Sequence, residues 1–127
     1  MKRGYGFGPW LPWTVWLVYA VAWTVALLTP EPVQVADAVF GEHRAFLAAK
    51  VLHVGAYALF TILSSRLHER RPFRWLVPAF LALHALGTEF FQGFVPLRSP
   101  AWRDVGLDYL GILLGLLLGW KWWREWP

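Results

Sequence analysis

Residues 10–29, WLPWTVWLVYAVAWTVALLT, run for twenty positions without a charged side chain. As an α-helix such a run rises about 30 Å, the thickness of a bilayer's hydrocarbon core. Lys2 and Arg3 precede it, and Ala20-Val21-Ala22 resembles a signal-peptidase site. The run continues uncharged beyond that point and is rich in tryptophan, so it reads as a retained span.

Three further runs share this character. Pro30-Glu31-Pro32 stops helix propagation and opens a loop over residues 30–49, with Glu31, Asp37, Glu42, His43 and Arg44 and a short surface helix around residues 36–40. A second run, residues 51–65, sits within a span over about 48–67. The basic stretch RLHERRPFR follows, then a third run over 75–95, which Pro96-Leu97-Arg98-Ser99-Pro100 breaks. A fourth span covers about 104–120. The expected architecture is all-α: one domain over residues 1–127, a four-span transmembrane helical bundle. Only 16% of residues are charged, against about a quarter in soluble domains. With no cysteine, disulfides, thiol nucleophiles and thiolate metal sites are excluded.

Basic residues set the orientation. With the amino terminus cytoplasmic, the inner segments hold eight: Lys2, Arg3, Arg66, Arg70, Arg71, Arg74, Lys121 and Arg124. The outer segments hold four: Arg44, Lys50, Arg98 and Arg103. This bias obeys the positive-inside rule and places both termini in the cytoplasm. Trp75, Trp120, Trp122, Trp123 and Trp126 then fall at the inner interface and Trp102 at the outer one. The same bias accounts for the net charge of +4. No nucleic-acid-binding motif accompanies it, so nucleic acid is not an expected partner.

On this topology the unusual polar residues gather at the outer end. Lys50, His53 and Tyr57 share one face of the second span. Glu89 and Gln92 lie one turn apart in the third. Arg98 and Arg103 are in the outer loop, and Asp104 and Asp108 begin the fourth span on the face that carries Gly111 and Gly115. Small residues four apart allow close helix approach. A carboxylate facing lipid costs on the order of 3 kcal/mol, so these groups are expected to line a polar pocket between spans two, three and four.

The order K-x-x-H-x-x-x-Y (Lys50, His53, Tyr57), E-x-x-Q (Glu89, Gln92), R-x5-D (Arg98, Asp104) and G-x3-G (Gly111, Gly115) resembles the VanZ-like family, named for a teicoplanin-resistance protein. The likeness covers about residues 48–119. It implies a multi-pass protein of the bacterial cytoplasmic membrane, linked to the cell envelope and to reduced sensitivity to glycopeptide and lipoglycopeptide antibiotics; it implies no agreed reaction. The family pattern expects asparagine four residues after Asp104, where this chain has Asp108. A second carboxylate one turn away calls for a shared proton or a nearby cation, with Lys50, Arg98 and Arg103 as candidates.

Three functional readings follow. In the first, the pocket binds an anionic lipid or lipid-linked cell-wall component. Lys50 and Arg98 hold the head group, Glu89, Gln92 and Asp104 shape the polar floor, and Tyr57 and Asp108 complete the ligand-binding set. In the second, Glu89, His53 and Asp104 are catalytic acid–base groups acting on a lipid-linked ester, phosphate or sugar. In the third, the Gly111/Gly115 face joins a membrane-protein partner or a second copy of the chain. Arg98 is expected to pair with Asp104, His53 to donate to Glu89 or Asp104, and His84 to be a packing residue. No cofactor is implied. No HExxH or comparable spacing supports a metal, and Ser99 lacks the context of a nucleophile. Gly4, Gly6 and Gly8 follow no strand and are not a phosphate loop.

Overall fold

The computed structural model describes residues 8, 10–67 and 73–125. Lys2, Arg3, Gly4, Gly6, Arg70, Arg71 and Trp126, named above, lie outside them. The helices are α1 (Trp10–Leu27), α2 (Glu31–Phe40), α3 (Glu42–Ser64), α4 (Leu76–Gln92), α5 (Trp102–Leu118) and the short α6 (Trp120–Arg124). No strand occurs among the described residues. At 1.5 Å per residue, α1 and α3 extend about 27 and 34 Å, and α4 and α5 about 25 Å each. By length and composition, α1 and α3 could each cross a membrane.

Proline placement explains where helices start. Pro12, Pro32 and Pro78 all fall in the first turn of their helices, where a missing N–H leaves no bond unmade. The segment 30–49, expected to be mostly loop, is therefore helical. Pro30 and Pro32 end α1 and start α2, and α3 begins at Glu42 instead of near residue 48. Between α2 and α3 only Gly41 is non-helical. Its φ of +78° suits glycine, and its N–H donates to the Asp37 carbonyl.

Contacts fix the directions of the long helices. Lys50 meets Asp104 and His53 meets Asp108, while Gly111 lies under Tyr57 and Gly115 under Thr61. Numbers rise together on both sides, so α3 and α5 run parallel. Trp16 Nε1 donates to Ser64 Oγ at 2.8 Å, whereas Tyr19 Oη donates to the Ala56 carbonyl at 2.6 Å, so α1 runs antiparallel to α3. Trp16 packs on Phe80, and Gln92 reaches the Leu27 carbonyl, so α4 runs with α1. The chain thus alternates direction from one long helix to the next.

The glycines set the spacing of α3 and α5. A Cβ on Gly115 would lie 2.5 Å from Thr61 Cβ and 2.6 Å from the Ala58 carbonyl oxygen. One on Gly111 would press on the Val54 carbonyl oxygen and stand 3.0 Å from Tyr57 Cβ. The Gly111/Gly115 face, which allows another helix to approach closely, here takes α3 of the same chain. Beside this seam, Tyr57, Phe60, Leu81, Ala85 and Ile112 form a buried core with Trp16, Tyr19 and Trp23 packed against it. The outer surface is apolar: Val18, Val51, Leu83, Phe90 and Leu117 are all exposed. That is the reverse of a soluble amphipathic bundle.

At the end holding residues 65–67, 73–75 and α6, Trp75 stacks on Trp123 at 6.5 Å between ring centroids, and Arg66 lies over Trp122. The connections 28–30 and 93–101 occupy the other end. Gly115→Leu should destabilise the bundle by about 3 kcal/mol, because the obstructing atoms include backbone. Chemical unfolding in detergent measures this, and Gly106→Leu, at a position with open space around its Cβ, is the control that should change little.

Candidate functional site

The polar stripe of α3 meets that of α5 pair by pair. Lys50 Nζ donates to Asp104 Oδ1. Three residues on, His53 Nδ1 lies 2.6 Å from Asp108 Oδ1. A carboxylate accepts, so the hydrogen belongs on Nδ1. His53 Nε2 is 3.8 Å from Asp104 Oδ2, beyond hydrogen-bond length. Each of the two aspartates therefore has its own basic partner. Arg98 and Arg103, the other candidates for balancing Asp108, make no ion pair among the described residues.

Glu89 and Gln92 act on the ends of other helices. Glu89, 1% exposed, accepts the Ala101 backbone N–H through Oε1. Ala101 is the residue before the first turn of α5, whose leading N–H groups have no acceptor within the helix. A carboxylate at this end also opposes the positive pole of the helix dipole. Gln92 Nε2 donates to the Leu27 carbonyl at 3.0 Å, one of the carbonyls left open at the end of α1. The two side chains thus bind α4 to α5 and to α1. Glu89 takes the backbone bond instead of a bond from His53, which was expected to reach Glu89 or Asp104.

Arg98 departs from expectation most clearly. Its predicted partner, Asp104, is taken by Lys50. Arg98 Nε instead donates to the Thr29 carbonyl at 3.1 Å and Nη2 to the Ala26 carbonyl at 2.6 Å. Leu97, with φ of +63°, precedes it in the left-handed region, which costs a branched L-residue about 1 kcal/mol. The chain there turns back toward the end of α1. Burial pushes the Arg98 guanidinium below its usual pKa, and Glu89 partly offsets this from a distance. Guanidinium stays charged nonetheless.

Tyr57 belongs to a second network. Tyr57 Oη lies 2.8 Å from His84 Nδ1, and His84 Nε2 lies 2.8 Å from Thr24 Oγ1. Thr24 donates its one hydrogen to the Ala20 carbonyl at 2.7 Å, so it accepts from His84. His84 therefore carries its hydrogen on Nε2 and accepts from Tyr57. This chain ties α1, α3 and α4 together in midbundle, and His84, read as a packing histidine, is the donor and acceptor at its centre. The packing reading was incomplete because a lone mid-span histidine has no sequence sign of its partners.

Where a pocket between spans two, three and four was expected, these groups pair across the close α3–α5 seam. A cavity of about 310 Å³ opens between α1, α2 and α3. Its wall is mainly apolar, with Ala26, Ala36, Ala45, Ala49 and Leu52 among its residues. His53 and Arg98 also line it, as do Asp37, Glu42 and Trp23, which the sequence reading did not assign to a site. His53 thus stands between the ionic cluster and the cavity, with Trp23 edge-on to its ring at 6.1 Å. No group of three or more metal-ligating side chains occurs among the described residues.

Lys50 and Asp104 side chains are 24% and 12% exposed, enough burial for the pair to matter. Lys50→Met should cost about 1.5–3 kcal/mol, because it leaves a partly buried carboxylate without its charged donor. Adding Asp104→Asn should recover much of the loss, since removing both partners costs less than removing one. Unfolding of the two single variants and the double variant in detergent gives the coupling directly.

A family model described as VanZ/LLP1 matches residues 13–124, nearly the whole chain and every residue of the cluster; the chain belongs to that family. No curated protein and no solved structure matches it.

Proposed function

We propose that this VanZ/LLP1 chain is a four-span protein of the bacterial cytoplasmic membrane, with both termini cytoplasmic and residues 1–127 forming one domain. Its outward end binds the anionic head of a lipid or lipid-linked cell-wall component. Capture of such a component is how it would affect glycopeptide and lipoglycopeptide sensitivity, the trait with which its family is linked. The apolar outer surface and the alternating directions of the four long helices support the spanning arrangement. The positive-inside bias supports the orientation.

One observation carries the binding reading. Arg98 is a half-buried guanidinium on the wall of an apolar cavity, and no carboxylate pairs with it among the described residues. Its Nε and Nη2 are committed to carbonyls, which hold the group in place and leave Nη1 for an anion. Guanidinium recognises phosphate and carboxylate through directed N–H groups. Lys50, the other expected head-group cation, is neutralised by Asp104 and acts here through the scaffold.

A second reading makes the same site an enzyme. His53 is fixed by Asp108 at Nδ1 and borders the cavity, the arrangement by which a carboxylate orients an acid–base imidazole. It replaces the Glu89–His53 pair expected from sequence. His53→Gln separates the readings: loss of turnover on a lipid-linked ester or phosphate with lipid retention intact favours the enzyme, and unchanged function removes it.

Two measurements test the main proposal. A cysteine replacing Ala101 should react in intact cells with a membrane-impermeant thiol reagent, and protection there would overturn the orientation. Arg98→Gln should reduce the phospholipid co-purifying with the protein by on the order of tenfold, the worth of one charge-assisted hydrogen bond. Mass spectrometry of the extracted lipid reads this; undiminished phospholipid would remove Arg98 from the site.

A further inference from the structure

The cavity beside Arg98 has a charge pattern that a simple anion does not complete. Asp37 of α2 and Glu42 of α3 line the same wall. Both residues are exposed, and neither carboxylate has a hydrogen-bond or ion-pair partner among the described residues. Glu42 gains from the first turn of α3, where the helix dipole favours a negative charge. Asp37 has no such reason: it lies in the second half of α2. The wall therefore offers one unpaired cation and two unpaired anions around an apolar slot.

The slot itself comes from sequence. Ala45, Ala49 and His53 are spaced four apart and share one face of α3, and Ala36 of α2 and Ala26 of α1 also line the space. Larger side chains at these positions would fill it. A volume of about 310 Å³ is at the small end of ligand cavities, which start near about 300 Å³. That is too little for a whole two-chain lipid, but suits one hydrocarbon segment. α2 walls the slot through Ala36 and Asp37 without burying any residue of its own.

We propose that this cavity binds an aminophospholipid: phosphate on Arg98, ammonium on Asp37 and Glu42, and one acyl segment along the Ala45–Ala49 face beneath α2. The assignment rests on the head-group reading above and adds to it that the ligand carries an amine beside its phosphate. A purely anionic lipid would satisfy Arg98 and be repelled by the two carboxylates. A zwitterionic ethanolamine head satisfies all three.

The test uses the full chain in mixed micelles holding equal amounts of phosphatidylethanolamine and phosphatidylglycerol with identical acyl chains. Retained lipid is counted by native mass spectrometry. The ethanolamine lipid should be favoured by on the order of fivefold, the scale of solvent-accessible ion pairs. Asp37→Asn should lower that preference, and Asp37→Asn with Glu42→Gln should abolish it. The loss should fall on the ethanolamine lipid, while retention of the glycerol lipid, freed of repulsion by the carboxylates, should not fall. Ala49→Trp, which fills the slot, should lower retention of both lipids together. Equal retention, a preference for phosphatidylglycerol, or a preference for phosphatidylethanolamine untouched by the carboxylate variants would overturn the proposal. If Arg98→Gln still lowers retention in those cases, phosphate binding stands and only the ammonium assignment falls. Retention unaffected by Arg98→Gln would sink both.

Discussion

The close parallel contact of α3 with α5 is the constraint on which the rest depends. Gly111 and Gly115 let the two backbones approach until α3 carbonyls occupy the space a Cβ would need. Only at that spacing do the stripes above the glycines meet as Lys50 with Asp104 and His53 with Asp108. The apolar and the ionic parts of the seam are therefore one device. Packing brings the charges together, and their pairing removes the cost of charge in an apolar bundle. The remaining helices are then attached by polar groups at their ends: Glu89 holds the start of α5, Gln92 and Arg98 hold the end of α1.

This division explains why so many conspicuous residues are internal ties and so few face open space. Of the polar groups at this end of the bundle, Lys50, Asp104, Asp108, Glu89 and Gln92 are all committed to partners within the chain. His53 and Arg98 are committed on one side and border the cavity on the other. The end of the bundle is therefore mostly scaffold, with only these two of its conspicuous groups on the cavity wall. Asp108, where the family pattern expects asparagine, belongs to the scaffold. As a carboxylate it fixes the hydrogen of His53 on Nδ1 and leaves Nε2 facing away from it.

Much of the fold was legible in the sequence. Charge-free runs gave the helices, proline clusters gave their breaks, and three- and four-residue spacings gave the polar face of each. The gathering of Lys50, His53, Glu89, Asp104 and Asp108 at one end followed from those alone. Residues 30–49 misled because proline signals both the end of one helix and the first turn of the next. Pairings misled for a different reason. Periodicity says which face a residue occupies but not how far one helix is shifted along another. Arg98 and Asp104 are near in sequence, yet the turn at Leu97 and the competing Lys50 put them with different partners. The cavity was not legible at all, since it depends on where α2 lies, and a run of alanines reads equally well as filled or hollow.

The parallel register of α3 and α5 also has a meaning for biosynthesis. The chain leaves the ribosome amino end first, so the polar stripe of α3 is made before the helix that satisfies it. Roughly fifty residues separate Lys50 and His53 from Asp104 and Asp108, and that gap holds the whole of α4. Until α5 emerges, α3 carries a lysine and a histidine without counter-ions, and α4 carries Glu89 without the backbone it binds. The early helices are thus incomplete on their own, and the last long helix to be made is the one that satisfies the polar groups of the others.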